Sequence, residues 1–286
     1  MFTILEKNDL AAKVYKYVIH APNIARKAKA GQFAILRLVD DGERIPITLA
    51  DWDAAAGTIT LYVQAIGKTT TIMSQMKAGD AILDVVGPLG IPSHVEQGKT
   101  LVALGGGFGI AAIHPIVRAH QLIGNRTISI IGARSQELLI MEPEMRAVST
   151  EVRIATDDGS CGTKGFVTTI LKEMLAAGEA MDVVLAIGPV VMMKAVADLT
   201  RATAVSTLVS LNPIMMDGTG MCGACRVMVG DSVQFACVDG PEFDAHKVDF
   251  DLLVARQKMY SPQEKLSMEI FDKMCKAQEQ RETAAW

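Results

Sequence analysis

The sequence is poor in aromatic residues and has no excess of either charge. Aromatic residues make up 5% of its 286 residues, and 28 lysines and arginines stand against 32 aspartates and glutamates, a net charge of −4. Proteins that bind nucleic acid or an anionic membrane surface usually display an excess of basic residues. We therefore predict that neither nucleic acid nor a membrane is a partner.

A long hydrophobic run is also missing. The longest stretch without a charged residue, 100–117, is interrupted by four glycines and by His114 and Pro115, whereas a membrane-spanning helix needs about 20 predominantly apolar residues. The first residues reach Glu6 before any apolar core of signal-peptide length appears. These two absences predict a cytoplasmic protein.

Cysteine is scarce, with five residues, an odd number. Cys222, Cys225 and Cys237 lie close together in the chain, while Cys161 and Cys275 stand alone. In a reducing compartment, such a group is more typical of metal ligation than of disulfides.

Apolar residues make up half of the chain, which is enough for a large core and about two domains. Residues 1–94 alternate short β-branched and apolar runs with turn residues, a pattern that predicts a small antiparallel β-barrel. The predicted barrel strands are 14–21, 31–39, 45–50, 58–64 and 81–87.

Residues 95–213 follow a different rhythm, in which each β-rich run is followed by a helical pattern. This alternation predicts an α/β domain with a doubly wound parallel sheet. The predicted strands are 101–105, 127–132, 152–156, 183–188 and 207–211. The Gly- and Cys-rich residues 214–260 are too few for a core of their own, so we expect a metal to hold them.

Residues 261–286 predict an amphipathic closing helix. Ser261 and Pro262 are the residues preferred at its N-cap and first helical position. Leu266, Ile270 and Met274 recur at i, i+4 and i+8. This apolar stripe either packs on the same subunit or contacts a partner.

The cysteine group follows the spacing D-x4-C-x2-C-x11-C. Plant-type [2Fe-2S] ferredoxins use C-x4-C-x2-C and a later cysteine. Here a carboxylate takes the first position, so the predicted cluster ligands are Asp217, Cys222, Cys225 and Cys237. Two alternatives remain at this point: a tetrahedral zinc site formed by the same residues, and three buried structural thiols.

A glycine-rich turn follows the first strand of the predicted α/β domain, at Gly105, Gly106, Gly107 and Gly109. Such a turn lets a pyrophosphate approach the backbone at the start of a helix. Gly188 and Pro189 end another strand, and Met192 follows on the next helix, where the nicotinamide would lie. The two strand ends favour a dinucleotide, and close strand–helix packing is the alternative. Arg134, after the second strand, would contact the ribose or a 2′-phosphate, or lie in solvent.

The succession of a barrel, a G-G-G-x-G turn, a G-P-x-x-M-M segment and a four-ligand loop resembles the ferredoxin-reductase superfamily, specifically the electron-transfer subunits of dihydroorotate dehydrogenase. The resemblance covers residues 1 to about 255, with further matches at 31–33, 79–80, 87–90, 156–160 and 239–244. Asp217 and residues 43–48 look most like the electron-bifurcating, NADH-dependent ferredoxin:NADP⁺ oxidoreductase branch. The pyrimidine-synthesis branch would have a cysteine at 217.

The resemblance implies an NAD(P)H-dependent flavin oxidoreductase subunit, with FAD held between the barrel and the α/β domain. By the family pattern, the flavin ring is lined by Pro46, Ile47 and Thr48. The adenosine and pyrophosphate side of FAD is expected to contact Tyr62, Val63, Gln64, Thr69 and Thr70. The nucleotide site is expected to include Asp158.

A chain that holds FAD, a [2Fe-2S] cluster and NAD(H) as substrate converts electron pairs into single electrons, and it needs no catalytic acid or base of its own. The resemblance implies a heterodimer with a larger flavoprotein and iron-sulfur subunit, through which ferredoxin is reached. The alternatives are the electron-transfer subunit of a class B dihydroorotate dehydrogenase or of a sulfide dehydrogenase and, from another class, a zinc-stabilised nucleotide-binding regulatory subunit. The choice between NAD and NADP stays open.

Overall fold

The structure of the protein is a computed structural model that describes residues 1–284. Its N-terminal region consists of two antiparallel sheets. Its strands are β1 (Phe2–Ala11), β2 (Val14–His20), β3 (Phe33–Arg37), β4 (Arg44–Thr48), β5 (Asp51–Asp53), β6 (Thr58–Gln64), β7 (Ala81–Ile82) and β8 (Asp84–Leu89), with the helices α1 (Pro22–Ala25) and α2 (Lys68–Gln75). One sheet has the order β5-β6-β2-β1-β7 and the other the order β4-β3-β8. Side chains of both sheets share one core, which includes Ile4, Tyr17 and Leu36.

Strand β1 is the longest element of this region that sequence reasoning missed, together with the short elements β5 and α1. Along its ten residues only Ile4 is buried, so the alternation of apolar and polar residues that signals a strand is absent. The predicted strand 81–87 is divided into β7 and β8, which belong to different sheets.

The following region is an α/β layer structure around a mixed, mostly parallel sheet. It contains β9 (Thr100–Gly106), α3 (Gly109–Leu122), β10 (Arg126–Ala133), α4 (Glu142–Val148), β11 (Glu151–Thr156), β12 (Thr163–Lys164), α5 (Val167–Ala176), β13 (Val183–Ile187), α6 (Val190–Thr200) and β14 (Ser206–Ser210). The uncharged stretch 100–117 is therefore β9, a turn and the first part of α3. In the described part of the chain, no helix combines the length and apolar character needed to cross a bilayer.

The order of the sheet, β12-β11-β10-β9-β13-β14-β17, places a topological switch between β9 and β13. The strand β17 (Glu242–Asp244) runs antiparallel to β14 at one edge. In open α/β sheets, ligands bind beyond the carboxyl ends of the strands at such a switch. The predicted fold class, antiparallel sheets followed by a doubly wound parallel sheet and a C-terminal cluster segment, is confirmed.

The C-terminal region contains β15 (Arg226–Val229), β16 (Ser232–Phe235), β17, α7 (Phe250–Gln257) and α8 (Ser261–Ala284). Its buried residues Val227, Ala236 and Phe250 join the same core as Val184 of β13 and Met193 of α6. The segment thus shares the core of the parallel sheet and has none of its own, and that a metal also holds it stays a prediction.

Helix α8 has two apolar faces. Met268, Phe271 and Cys275 are partly buried, on a helix that packs against α2. The predicted stripe lies on another face and is exposed: Leu266 by 57%, Ile270 by 49% and Met274 by 66%. The stripe is thus not the surface by which α8 packs on its own subunit.

The fully buried Tyr17 ties the first sheet to α2, because its hydroxyl donates a hydrogen bond of 2.7 Å to the carbonyl oxygen of Met73. We expect Tyr17→Phe to lower the free energy of unfolding by about 1 kcal/mol, the net contribution of one buried hydrogen bond. Urea denaturation measures this change. Tyr15→Phe is the control, because Tyr15 is a half-buried neighbour on the same strand; equal losses in both variants would contradict this role for Tyr17.

Candidate flavin, dinucleotide and cluster sites

Strand β4, which carries Pro46, Ile47 and Thr48, lies at the edge of its sheet. The N–H of Leu49 donates to Gln32 on the β3 side, whereas the N–H of Ala50 donates to Thr60 of β6 on the other side, both at 3.1 Å. Because backbone groups alternate along a strand, Thr48 directs its N–H and carbonyl away from β3. All three predicted residues are partly exposed. This edge therefore offers backbone groups and a hydroxyl to a planar ligand.

The start of α2 lies next to the start of β4. The Thr69 hydroxyl donates to the Glu43 carboxylate at 2.5 Å, a partner that sequence reasoning missed. Thr70 caps the helix, since its hydroxyl accepts from the N–H of Gly67 at 3.0 Å. The first N–H groups of a helix lack partners within the helix and attract phosphate. The two predicted flavin segments are thus brought together, and the N–H groups at the start of α2 are the groups that would suit a pyrophosphate.

The residues at the end of β6 are less accessible than the family pattern suggests. The side chain of Val63 lies in the barrel core, 1% exposed, so its contribution to a ligand is limited to its backbone. Tyr62 packs in a second core with Ala50 and Met145. Burial, followed by the charge of Glu144, raises the pKa of Tyr62 to about 12. Gln64 is partly exposed and remains a candidate contact.

The two predicted dinucleotide strand ends meet at the switch between β9 and β13. A Cβ at Gly106 would overlap the Met192 sulfur, and a Cβ at Gly188 would also lie against Met192. Pro189 is the N-cap residue of α6, and the ring of Pro189 also lies close to Gly106. The structure therefore brings Gly106, Gly188, Pro189 and Met192 together, with the Met192 side chain packed on both glycines. That a dinucleotide binds at these strand ends stays a prediction.

The remaining glycines of the turn have different roles. A Cβ at Gly105 would press on Ile110, and one at Gly109 would overlap the carbonyl oxygen of Ile187. These two positions serve strand–helix packing, which was the alternative interpretation of the motif. Gly107 has φ +55°, and none of the described residues places a heavy atom within 4 Å of a Cβ built there. Gly107 is thus the glycine of the turn that faces open space.

Arg134 and Asp158 belong to adjoining loops at the carboxyl edge of the sheet. The N–H of Asp158 donates to the Arg134 carbonyl at 3.2 Å, and the Asp158 carboxylate accepts from the hydroxyl and N–H of Ser160, which lowers its pKa. The Ser160 hydroxyl in turn accepts from the N–H of Gln136. Asp158 therefore shapes this loop, and the exposed Arg134 side chain is free to reach a ligand.

We expect Gly107→Val to block the dinucleotide without displacing FAD. A branched side chain would enter the open space, and the left-handed backbone adds strain of about 1–2 kcal/mol. NADH oxidation with an artificial acceptor should fall by orders of magnitude while the flavin absorbance is retained. Gly109→Ala serves as the contrast, because it should destabilise the fold and lose both properties. Wild-type turnover in Gly107→Val would place the dinucleotide elsewhere.

Two of the predicted cluster ligands are buried side by side. The sulfur atoms of Cys225 and Cys237 are 3.1 Å apart, and each residue is 1% exposed. Burial, followed by the hydrogen bond with Cys225, raises the pKa of Cys237 to about 12, so thiolates here require a compensating cation. The N–H of Gly220 points to the Cys237 sulfur. Iron fits this donor pair and would stabilise the thiolates.

The other two predicted ligands form a second, more exposed pair. The Asp217 carboxylate accepts from the N–H of Cys222 and from the N–H of Thr219, both at 2.9 Å, and these bonds lower the pKa of Asp217. The carboxylate is thus charged at neutral pH. Among the side chains that the structure describes, no three from His, Cys, Asp or Glu converge on a single ion. The set of four cluster ligands therefore stays a prediction, which substitution of Asp217 tests.

Asp217 gives a direct test of the ligand set. We expect Asp217→Ala to lose or destabilise the cluster, and Asp217→Cys to keep it at a lower midpoint potential, because a thiolate donates more electron density to iron. EPR of the reduced cluster and a redox titration measure both effects. Asp231→Cys, in the exposed turn between β15 and β16, is the matched control. An unchanged spectrum and potential in Asp217→Cys would remove the carboxylate from the ligand set.

Comparison with known proteins agrees with this site. The iron-sulfur cluster binding domain of dihydroorotate dehydrogenase B matches residues 212–249. The chain is 46% identical over 268 residues to the dihydroorotate dehydrogenase B (NAD(+)) electron transfer subunit homolog of Thermotoga maritima, covering 94% of each chain. It is 31% identical over 258 residues to the electron transfer subunit of Fusobacterium nucleatum, covering 87% of this chain and 98% of that one.

A solved structure is also similar along the whole chain. A chain of the NADH-dependent reduced ferredoxin-NADP oxidoreductase, a structure that bears on flavin-based electron bifurcation, superimposes with a TM-score of 0.90 at 43% identity. The match covers 95% of this chain and 98% of that one.

Proposed function

Because this chain belongs to the family of dihydroorotate dehydrogenase B electron transfer subunits and their homologues, we propose that it is the small subunit of an electron-bifurcating oxidoreductase. In this role it exchanges electrons between NAD(H), FAD and a [2Fe-2S] cluster, to or from a larger flavoprotein subunit. The observation that carries the proposal is Asp217, a carboxylate paired with Cys222 at the first ligand position.

In this proposal the chain has three sites, one each for FAD, the nicotinamide and the cluster. When bound, FAD would exchange a hydride, which carries two electrons, with nicotinamide and single electrons with a cluster. The β4 edge at Thr48 and the start of α2 would hold FAD. The crevice around Gly107 and Met192 would orient the nicotinamide. The four-ligand loop from Asp217 to Cys237 would hold the cluster.

The nucleotide preference is the finer part of the proposal. Arg134 is exposed at the end of the second strand of the parallel sheet, where an arginine can pair with a 2′-phosphate. The family resemblance instead favours NAD(H), and we propose NAD(H) as the substrate of this chain.

A second candidate function is that of the electron-transfer subunit of a class B dihydroorotate dehydrogenase. The names of the relatives from Thermotoga maritima and Fusobacterium nucleatum favour it. This branch of the family is expected to carry cysteine at position 217, which is aspartate here. The likeness at 43% identity to the bifurcating oxidoreductase supports the first candidate.

The complex purified from the native host distinguishes the two candidates. We expect it to contain FAD and iron, and to reduce ferredoxin and NAD⁺ together at the expense of NADPH under anaerobic conditions. Dihydroorotate should leave its flavin oxidised. Bleaching of the flavin by dihydroorotate, with no ferredoxin reduction, would support the second candidate, and zinc in place of iron would contradict both.

A further inference from the structure

Helix α3 contacts the residues that follow the candidate flavin strand. The Nδ1–H of His114 donates a hydrogen bond of 3.3 Å to the carbonyl oxygen of Ala50. One turn further along α3, Arg118 pairs with the Asp51 carboxylate at 2.6 Å, and its guanidinium lies 5.2 Å from the ring centre of Trp52. Three consecutive residues are therefore held from two helix positions four residues apart, which lie on the same face of a helix.

These contacts bridge two of the candidate sites. The segment 50–52 begins two residues after Thr48, the last residue of β4, at whose edge FAD is proposed to lie. Helix α3 begins at Gly109, directly after the open part of the glycine turn that is proposed to bind the dinucleotide. His114 and Arg118 thus connect the helix of the dinucleotide turn to the chain that leaves the flavin strand. These two side chains and the segment 50–52 are named the α3 clamp.

The hydrogen bond of the α3 clamp is made in a buried place. His114 is 7% exposed, and Ala50 is fully buried. Burial lowers the pKa of His114, so the imidazole is neutral at neutral pH. The charged groups that face it are Arg118 on its own helix, Asp51 on β5 and Glu144 on α4. The neutral ring therefore donates to the Ala50 carbonyl without adding a buried charge beside the flavin strand.

Apolar packing alone would leave the approach of α3 to the barrel less well defined. Ile110 and Ile113 of α3 share a core with Val14 and Tyr62 of the barrel, and such contacts are non-directional. A hydrogen bond, by contrast, requires a particular distance and a particular angle. The α3 clamp therefore adds directional contacts to an interface that is otherwise held by apolar surface.

We propose that His114 and Arg118 are positioning residues for hydride exchange, which set the distance between the dinucleotide turn and the flavin strand. This inference rests on the proposed function, because it concerns the step in which a hydride passes from NADH to FAD, so that NADH is oxidised to NAD⁺ and FAD is reduced by two electrons. Both residues act through the segment 50–52 and not on a reacting atom. The step is sensitive to the gap, since a misplacement of about 1 Å can slow a reaction about 100-fold.

The ion pair is tested by Arg118→Met in the full-length chain with FAD and the cluster bound. The protein is mixed with NADH in an anaerobic stopped-flow instrument. We expect the limiting rate of flavin reduction to fall roughly tenfold or more, while the dissociation constant of NADH stays within about twofold. Arg118→Lys, which restores the cation, should recover part of the rate. Arg146→Met is the matched control, because Arg146 pairs with Glu142 of its own helix, and its rate should stay within about twofold of the wild type.

Asp51→Asn breaks the same ion pair from the barrel side. The asparagine keeps the side-chain oxygen that accepts from the N–H of Trp52. We expect this variant to be slowed as Arg118→Met is, and the double variant to be slower than either single variant by no more than about twofold, because both changes remove one contact. Losses that multiply in the double variant would overturn the role of the pair.

The hydrogen bond is tested by His114→Leu, which removes the Nδ1–H but keeps an apolar side chain in the buried site. We expect slower flavin reduction, and partial recovery in His114→Asn, whose amide returns a donor near the position of Nδ1. The long-wavelength charge-transfer absorbance of NAD⁺ with the reduced flavin reports stacking at equilibrium, without turnover, and should weaken in His114→Leu. If this variant does not fold, Arg118 and Asp51 carry the test, because their side chains are 28% and 44% exposed.

Flavin absorbance and the cluster EPR signal show that each variant is folded. Folded variants that are reduced at the wild-type rate, or that bind NADH more weakly at an unchanged limiting rate, would overturn this inference and leave the proposed function standing. A wild-type chain whose flavin is not reduced by NADH would overturn both.

Discussion

Residues 240–242 hydrogen bond to each of the other parts of the molecule, and the arrangement of the three sites depends on this junction. The Gly240 carbonyl accepts from Ile91, which follows the barrel, at 2.6 Å, and the Pro241 carbonyl accepts from Leu211 at the end of the parallel sheet at 2.9 Å. The Glu242 carboxylate accepts from the Ser93 hydroxyl. Burial raises the pKa of Glu242. The cluster segment cannot shift relative to the barrel or the sheet without breaking these bonds.

The same junction requires a glycine at position 31. A Cβ at Gly31, whose φ is +83°, would overlap the Ser93 hydroxyl and approach the Glu242 carboxylate. The barrel, residues 90–99 and the cluster segment therefore meet at a point where no side chain larger than that of glycine fits. Shared cores reinforce the junction, since Phe33 of the barrel belongs to the same core as Cys225 and Cys237. For electron transfer this rigidity is useful, because the rate depends on the separation of the redox groups.

Helix α8 connects the barrel region with the surroundings of the cluster segment. One face of α8 packs against α2, the helix whose start is a candidate pyrophosphate site, while the stripe of Leu266, Ile270 and Met274 stays exposed. The residue before α8, Tyr260, lines a pocket that Cys222 also lines.

Much of the fold and many residues of the candidate site could be predicted from local patterns in the sequence. Strand β6 was predicted with its observed bounds, because its β-branched and apolar residues form a short run bounded by turn residues. The glycine turn after β9 could also be recognised, because close approach to the backbone requires glycine. The spacing from Asp217 to Cys237 could be recognised because metal ligation restricts residue types. Such features depend on neighbours in the chain.

Which residues of a motif are accessible and which are packed could be learned only from the folded chain. It separated Gly107, which faces open space, from Gly109, which packs on Ile187. It placed Val63 in the barrel core and left the stripe at Leu266 exposed, although period alone would bury that stripe. The folded structure also shows that the cluster segment shares the core of the parallel sheet. The physical reason is that burial and access depend on residues distant in sequence, whose positions no local pattern contains.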